Sequence, residues 1–384
     1  MTDQQSGLGA RLRAAREKVG VSLAAMAART HYSKPLLGLL ETDKRTIRDE
    51  HVIAYSRALN VSVEHLYGPS GDPLRIAHEW LVADSPAVVQ QNSGRRVGES
   101  LAGKLEGRVI ELRHLDDYIG GRDLIGLVRQ ELFDAQRLVR DASYTEDTGR
   151  RLLTVVGELA QLAGWVASDA GLYVESERIY VSGVSAAQEA ADGVLAGQLL
   201  SSLSYQMANV GNPADAALLA RSAVVGAGRV TPVARALLLE RVAWASARSR
   251  DEDGARRALD AVDDSFAERS NGIEEPEWVY WLDRSEIDVM AGRCLIELGE
   301  PARAEPLLSR AISDYASDHV REVALYETWL AEAYARSREF DGAAASIRRA
   351  RRAAKKVSST RLEVRISEVQ RLLDVDRGNA DDGS

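Results

Sequence analysis

The chain has 384 residues, a net charge of −9 and an aromatic content of only 5%. Its single cysteine, Cys294, excludes a disulfide framework and any zinc site built on several cysteines. No apolar run approaches the roughly 18 residues of a membrane-spanning helix, so we expect a cytoplasmic protein without membrane contact.

Composition and charge also indicate how the chain is organised. It is rich in Ala, Leu, Arg and Glu, which favours helices, and its length predicts two or more domains. Residues 1–68 contain ten Lys or Arg and seven Asp or Glu, a net charge of +3, so the remaining chain carries −12. Such asymmetry is typical of a phosphate-facing segment joined to an acidic domain, although an excess of three charges also arises by ordinary scatter.

The first seventy residues predict five short helices. An apolar residue recurs at helical spacing through the first helix, which Gly20 ends. Ser22 and Ser33 are typical amino-terminal caps for the second and third helices, and Pro35 suits the first turn of the third. Two further short helices follow, up to Tyr67. Two helices joined by a tight turn within such a set indicate a helix-turn-helix module.

This segment resembles the XRE family of lambda-repressor-like regulators. The resemblance rests on Leu12, Arg13, Arg16, the run from Ser22 to Ala27, Ser33, Leu40, Glu41, Lys44, Arg45, the run from Ala58 to Val61, Leu66 and Tyr67. In that family the third helix enters the major groove. The resemblance therefore implies base contacts from Ser33, Lys34, Pro35 and Leu39. It places four residues near the DNA backbone, namely Leu23, Arg29, Lys44 and Arg45.

Two features depart from the family pattern. Asp43 stands where the family usually has glycine, at a position that favours a positive φ, which Asp tolerates. Of the residues after Ser33, only Lys34 can donate to a base edge. We therefore expect sequence specificity from Lys34, from apolar contact with thymine methyl groups and from DNA shape. The alternative is a module that has lost DNA binding and serves dimerisation.

A connecting region is predicted between residues 71 and 145. Its helical pattern is broken at Gly71, Asp72 and Pro73, and the stretch 83–98 has the poor periodicity of a hinge. Three helices are predicted, over about 74–82 with Trp80, 99–118 and 123–142. We expect the last two to cap the repeats that follow.

Small residues recur in phase from residue 146 to residue 375. The first set is Gly164, Ser204, Ala243, Gly292 and Ala331. Twelve residues further on lie Ser176, Ala216, Ala255, Ala304 and Ala343, and seven beyond those lie Gly183, Ala223, Val262, Ala311 and Ala350. Small side chains at these points allow two helices to approach closely. The spacings of the first set are 40, 39, 49 and 39 residues, and the longest marks an insertion around residues 270–280.

These repeats resemble tetratricopeptide repeats, most closely in the fifth unit. The resemblance implies an all-α fold, with a five-helix module at residues 1–70 followed by a solenoid of about five helical hairpins. Residues 360–373 read as a terminal capping helix, and residues 376–384 as a disordered tail.

One side of the solenoid is expected to form a concave binding face. The residue after each small first-helix position should face it: Trp165, Tyr205, Trp244, Arg293 and Glu332. Neighbours on the same face are Gln161, Asn209, Glu240, Glu286 and Thr328. Aromatic anchors beside amide and charged groups suit an effector of peptide size, and the amide of Asn209 could clamp an extended peptide backbone. Two alternatives stay open: the aromatic residues pack between helices, and Asn209 only caps a turn.

A helix-turn-helix segment joined to tetratricopeptide-like repeats resembles the RRNPP peptide-sensing regulators and actinobacterial regulators of similar order. The resemblance implies a bacterial homodimer that binds double-stranded DNA and a peptide, small-molecule or small-protein effector. None of the six histidines has metal-ligand spacing and no phosphate-binding loop is present, so we expect no enzyme activity, metal or cofactor. The alternative is an interaction scaffold whose helix-turn-helix module is vestigial.

Overall fold

The computed structural model describes residues 8–30, 32–45, 47, 49–59, 61, 66, 97–117, 121–315, 320–354 and 360–381. The chain divides between Asp72 and Pro73 into two compact units, termed here the N-terminal and C-terminal units. The described residues form α-helices, one short 3₁₀ helix and no strand, so the predicted all-α class is confirmed. The helix predicted around Trp80, the hinge up to residue 96 and most of the fifth helix lie outside the described residues.

In the N-terminal unit the described residues form four helices. They are α1 (Leu8–Lys18), α2 (Leu23–Thr30), α3 (Lys34–Leu40) and α4 (Asp49–Leu59). The hydroxyl of Ser22 accepts the Ala25 N–H at 3.1 Å, and that of Ser33 accepts the Leu36 N–H at 3.3 Å. Both predicted caps are therefore confirmed. The helices pack on a core that includes Leu12, Met26, Leu37, Leu40 and Tyr55.

Asp43 joins the end of α3 to the start of α1. Its backbone has φ 53°, the left-handed conformation expected where the family pattern has glycine. Its carboxylate accepts the Gly9 N–H at 2.8 Å. Asp43 thus satisfies one of the unpaired N–H groups in the first turn of α1, a contact that glycine could not supply.

A buried ion pair connects α1 with the residue that follows α3. The guanidinium of Arg16 donates to both carboxylate oxygens of Glu41, at 2.7 and 2.6 Å, and also to the Val21 carbonyl at 2.9 Å. The Tyr55 hydroxyl, from α4, donates to the same carboxylate at 2.8 Å. Arg16 and Glu41, two residues that carried the family resemblance, therefore hold the scaffold together.

In the described part of the C-terminal unit the first two helices are α5 (Glu99–Asp116) and α6 (Gly121–Asp141). Five helical hairpins follow, as predicted: α7 (Glu146–Asp169) with α8 (Tyr173–Glu189), α9 (Gly193–Val210) with α10 (Pro213–Gly226), α11 (Pro232–Arg248) with α12 (Glu252–Ala267), α13 (Arg284–Glu297) with α14 (Pro301–Asp314), and α15 (Val320–Arg336) with α16 (Phe340–Ala354). The final helix, α17, covers Thr360–Asp381. It includes residues 376–381 of the segment for which the sequence predicted a disordered tail.

Close helix approach explains why small residues recur within the hairpins. A Cβ atom on Gly164 of α7 would lie 2.5 Å from the ring of Tyr180 on α8. The Ser176 hydroxyl donates to the Gly164 carbonyl at 2.6 Å across the same contact. In the fourth hairpin a Cβ on Gly292 would lie 2.9 Å from Leu308. Larger residues at these positions would force the paired helices apart.

A left-handed residue recurs seven positions after the small residue of the first helix. Gly171, Arg250, Gly299 and Arg338 have φ values of 82°, 63°, 79° and 63°. Each ends its first helix and starts the turn into the second, the usual role of a residue in this conformation. In the second hairpin Gly211 occupies the position with φ −122°. The shared turn gives a second, independent indication that the repeats are in phase.

The predicted insertion folds back onto its own hairpin. It contains the 3₁₀ helix Glu277–Val279, and the Glu275 carboxylate accepts the N–H groups of Val233 and Ala234 at 3.0 and 3.2 Å. Glu275 therefore caps the first turn of α11. Within the parts of the chain described, no helix is long and apolar enough to cross a membrane.

Candidate functional sites

The predicted base-reading residues share the exposed side of α3. Ser33, Lys34 and Pro35 are exposed, and Leu39 is 39% exposed, whereas Leu37 is fully buried. The sequence alone could not assign its leucines to core or surface. In the structure Leu39 faces outward, whereas Leu37 and Leu40 pack in the core.

The four residues expected near the DNA backbone divide into two pairs. Lys44 and Arg45 are exposed immediately after the turn that follows α3. Arg29, by contrast, donates to the Ala58 carbonyl at 3.0 Å and so stabilises the last turn of α4. Leu23 is half-buried, next to Gly38 of α3. Arg29 and Leu23 therefore contribute to helix packing. The side chains of Lys44 and Arg45, by contrast, form no hydrogen bond or ion pair with any described residue.

The C-terminal unit encloses a cavity of about 510 Å³. First helices of all five hairpins contribute to its lining, together with α5, the insertion and α17. Of the seven predicted effector-binding residues, five line it: Gln161, Trp165, Tyr205, Glu240 and Arg293. Residues from α7, α9, α11 and α13 thus meet around one space, as the repeat register predicted.

Asn209 and Trp244 do not line the cavity, which corrects the sequence interpretation. The Asn209 amide donates to the Tyr205 carbonyl at 2.9 Å and accepts the Trp244 indole N–H at 3.0 Å. Trp244 is 1% exposed, because the guanidinium of Arg293 and the ring of Trp329 cover it. Both polar ends of the Asn209 amide therefore have partners within this chain, and the peptide clamp expected from sequence stays a prediction.

Three arginines converge on Tyr205 at the centre of the lining. Arg293 and Arg361 donate to its hydroxyl oxygen at 2.9 and 2.7 Å. The guanidinium carbon of Arg241 lies 4.4 Å from the ring centroid, and the Trp165 ring stacks on the same ring at 5.9 Å. Burial opposes ionisation of the phenol, but the three guanidinium groups outweigh it and lower the pKa of Tyr205 to about 8.

Burial raises the pKa of several carboxyl groups around the cavity. It raises the pKa of Glu240 to about 8, and the Oε1 atom of this residue has no hydrogen-bond partner. It raises the pKa of Asp116 to about 7, although Arg321, 3.9 Å away, favours the charged form. Burial likewise raises the pKa of Glu286, whose carboxylate accepts hydrogen bonds from the hydroxyls of Tyr315 and Tyr326.

Several lining residues were not predicted from the sequence. Arg361 belongs to α17, which was read only as a cap, and Tyr326 belongs to the first helix of the fifth hairpin. The insertion supplies Trp278, Tyr280 and Trp281. The sequence could have indicated a role for the insertion, because a cluster of aromatic residues is unusual in a chain with only 5% aromatic content.

Two residues of the lining, Tyr280 and Asp117, come from distant parts of the chain and contact each other. The Tyr280 hydroxyl donates to the Asp117 carboxylate at 2.6 Å, and the His114 and Tyr280 rings pack edge to face at 4.4 Å. These contacts join the insertion to the end of α5. Among the described residues no group of three or more His, Cys, Asp or Glu side chains is arranged to hold a metal ion.

Comparison with known proteins places one part of the chain in a family. Similar solved structures include BtubC from P. vanneervenii, which is 16% identical over 60% of this chain and 90% of that chain, with a TM-score of 0.43. Bacillus thuringiensis PlcR, solved with the peptide PapR7 and DNA, is 11% identical over 84% of this chain and 98% of its own, with a TM-score of 0.40. PrgX is 10% identical over 94% of this chain and 99% of that chain, with a TM-score of 0.33. No curated protein matches the sequence. Residues 7–66 match the family described as a helix-turn-helix domain, so the segment that the sequence assigned to this class is a helix-turn-helix domain.

Proposed function

We propose that this protein is a DNA-binding transcriptional regulator whose C-terminal unit binds an effector. The observation that carries the proposal is the helix-turn-helix domain, in which α3 keeps its reading side exposed. The core leucines and the Arg16–Glu41 pair are buried behind it. Residues used for folding and residues available for DNA are therefore different ones.

Contacts with DNA would divide between bases and phosphates. Lys34 would donate to a guanine edge, while Pro35 and Leu39 would contact thymine methyl groups in the major groove. Lys44 and Arg45 would neutralise phosphates, which position the domain without reading sequence. One good donor for each α3 gives little discrimination. We therefore propose that a homodimer binds a two-fold site, with half-sites about one helical turn apart.

The cavity is the proposed effector site. Its volume of about 510 Å³ lies within the roughly 300–1,000 Å³ of pockets that hold drug-sized ligands. It therefore suits a small molecule or a short peptide better than a protein domain. An effector can shift the repeats only by binding one arrangement more tightly than another. A tenfold change in DNA affinity needs about 1.4 kcal/mol of such coupling.

Capture of genomic DNA fragments by the full-length chain tests the DNA-binding part. We expect wild-type protein to enrich a limited set of fragments that share a two-fold site. Lys34→Ala should reduce the enrichment more than it reduces binding to random DNA, because Lys34 is the base-edge donor. Arg13→Ala is the matched control, since Arg13 is exposed on α1 and pairs with Glu17 at 2.8 Å.

Two results would contradict the proposal. Wild-type protein that enriches no fragments would support an interaction scaffold with a vestigial helix-turn-helix domain. Equal effects of Lys34→Ala and Arg13→Ala would show that α3 is not the reading helix.

A further inference from the structure

We propose that the cavity recognises an oxyanion, a carboxylate or phosphate group of the effector, through Arg241, Arg293 and Arg361. This inference rests on the proposed function in taking the cavity as the effector site. It adds the chemical class of the ligand and the residues that select it.

The three guanidinium groups lack the close ion pairs that buried arginines normally have. No carboxylate oxygen of a described residue lies within 4.0 Å of their nitrogens. Arg241 and Arg293 are 5% and 4% exposed, and the Nε atom of each is buried without a hydrogen-bond partner. An uncompensated buried charge is costly, so a cluster of them indicates a place where a ligand supplies the opposite charge.

The contacts of Tyr205 show where such an anion would be held. Its hydroxyl oxygen accepts N–H groups from both Arg293 and Arg361. Arg241 reaches the same ring but forms no hydrogen bond with any residue described. Guanidinium groups recognise carboxylate and phosphate through parallel N–H donors. Their free donors could bind an oxyanion next to the phenol, while the phenol keeps the two guanidinium groups from turning away.

No described carboxyl group of the lining forms an ion pair with this cluster, although the charge of Asp169 acts on Arg361 from a longer distance. Glu240 is adjacent to Arg241 in sequence, yet it makes no ion pair with a described residue, and burial raises its pKa to about 8. At neutral pH it can therefore donate its proton to an anion. The carboxylates of Glu286, Asp117 and Asp283 already accept hydrogen bonds from Tyr315 and Tyr326, from Tyr280 and from the Glu286 N–H.

Aromatic rings beside the arginines suit a flat apolar group attached to the anion. Trp165 stacks on Tyr205, and the Arg361 guanidinium lies 5.7 Å from the Trp165 ring. A ring or planar chain could pack on the opposite side of Trp165 while its acid group binds the arginines. Three sources share this chemistry: a small aryl acid, the terminal carboxylate of a short peptide, and a phosphate compound.

Calorimetry with matched pairs of probes tests the proposal on the full-length chain. The probes are indole-3-acetate with indole-3-acetamide, a Leu-Leu-Phe peptide with a free or an amidated carboxyl end, and inorganic phosphate. We expect at least one acid probe or phosphate to bind, and any acid that binds to do so at least tenfold more tightly than its amide. The probe that binds identifies the source.

Arg361→Gln and Arg241→Gln are the test variants, with Arg221→Gln as control. Arg221 lies on α10, half-exposed, and pairs with Asp251 at 2.6 Å. We expect each test variant to lose the preference for acid over amide while its melting temperature stays unchanged or rises, because the deleted charge had no carboxylate partner. The control should bind as wild type does.

Three outcomes would overturn the proposal: acids and amides binding alike, no binding by any acid or by phosphate, and unchanged acid preference in both test variants. A DNA-binding assay on the same wild-type preparation keeps the two proposals separate. Wild-type protein that binds DNA but shows no preference for the acid probes contradicts this inference alone. Anion binding without DNA binding contradicts the proposed regulator.

Discussion

Glu41→Ala should strongly destabilise the N-terminal unit while leaving the stability of the C-terminal unit unchanged. Glu41 is the point at which α1 and α4 meet the end of α3, through Arg16 and Tyr55. The side chains of Arg16 and Glu41 are 11% and 4% exposed, so water cannot replace the lost carboxylate. The variant would leave a buried guanidinium with one remaining hydrogen-bond acceptor, the Val21 carbonyl, and a longer contact of 3.6 Å with the Glu17 carboxylate.

The expected loss is large compared with the stability of so small a unit. Removing one partner of a buried ion pair costs about 3–5 kcal/mol. A unit of roughly 70 residues has a free energy of unfolding of about 4–10 kcal/mol, at about 0.05–0.15 kcal/mol per residue. Because the hydrogen bond from Arg16 to the Val21 carbonyl survives, we expect a loss of stability at the lower end of this range, about 3 kcal/mol. The variant should therefore be marginally folded and should lose DNA binding.

Urea unfolding of the full-length chain separates the two units optically. All six tryptophans follow Asp72, so tryptophan fluorescence follows only the C-terminal unit, whereas far-ultraviolet circular dichroism follows both. We expect Glu41→Ala to move the early dichroism transition to lower urea without moving the fluorescence transition. The control is Glu17→Ala, which removes the exposed pair with Arg13 and a longer contact of 3.6 Å with Arg16, but keeps both hydrogen bonds from Arg16 to Glu41. Identical dichroism midpoints for the two variants would refute the role assigned to Glu41.

Three further variants test the C-terminal unit. Trp244→Ala should lower stability by about 3–5 kcal/mol, as expected for a buried Trp. Thermal unfolding followed by circular dichroism measures this loss, and an unaltered melting temperature would contradict the placement of Trp244 in the core. Gly164→Ala should lower the stability of the C-terminal unit by about 1–3 kcal/mol because of overpacking. The control is Gly126→Ala, which should raise stability by up to about 1 kcal/mol because nothing lies within 4 Å of the added methyl group. Equal effects of the two substitutions would count against the close approach of the helices. Burial, with a smaller contribution from Glu286, raises the pKa of Glu240 from 4.5 to about 8, although Arg241, Arg293 and Arg284 lower it. The folded chain therefore keeps a proton that the unfolded chain releases. Wild-type stability should therefore fall relative to Glu240→Gln between pH 5 and pH 8, and a melting-temperature difference independent of pH would show that this carboxyl is not desolvated.

Local features of the fold were predictable from sequence because they depend on neighbouring residues. Ser22 and Ser33 cap their helices, and Asp43 adopts its positive φ, since each role is decided within a few positions of the chain. Small residues such as Gly164 revealed the hairpins for the same reason. The two helices of a hairpin are close in sequence, and their contact recurs with the repeat.

The cavity was only partly predictable because it depends on how the repeats curve. Arg361 donates to Tyr205 across 156 positions, a contact that no local pattern encodes. The rule that placed Trp165 and Tyr205 in the lining also placed Trp244 there. That prediction was wrong because Arg293 and Trp329 cover the indole. Side-chain layering within a concave face is decided by packing between repeats, which periodicity does not reveal.

The salt dependence of DNA binding by the full-length protein and by Arg45→Ala tests the central claim most directly. Each phosphate contact adds about 0.9 to the slope of log affinity against log salt concentration. Fluorescence anisotropy on a fragment enriched by wild-type protein should therefore give a steep negative slope. A dimer of Arg45→Ala loses two such contacts, so its slope should be shallower by about two. A wild-type affinity that does not change with salt, or equal slopes for the two proteins, would contradict the account of this chain as a DNA-binding regulator.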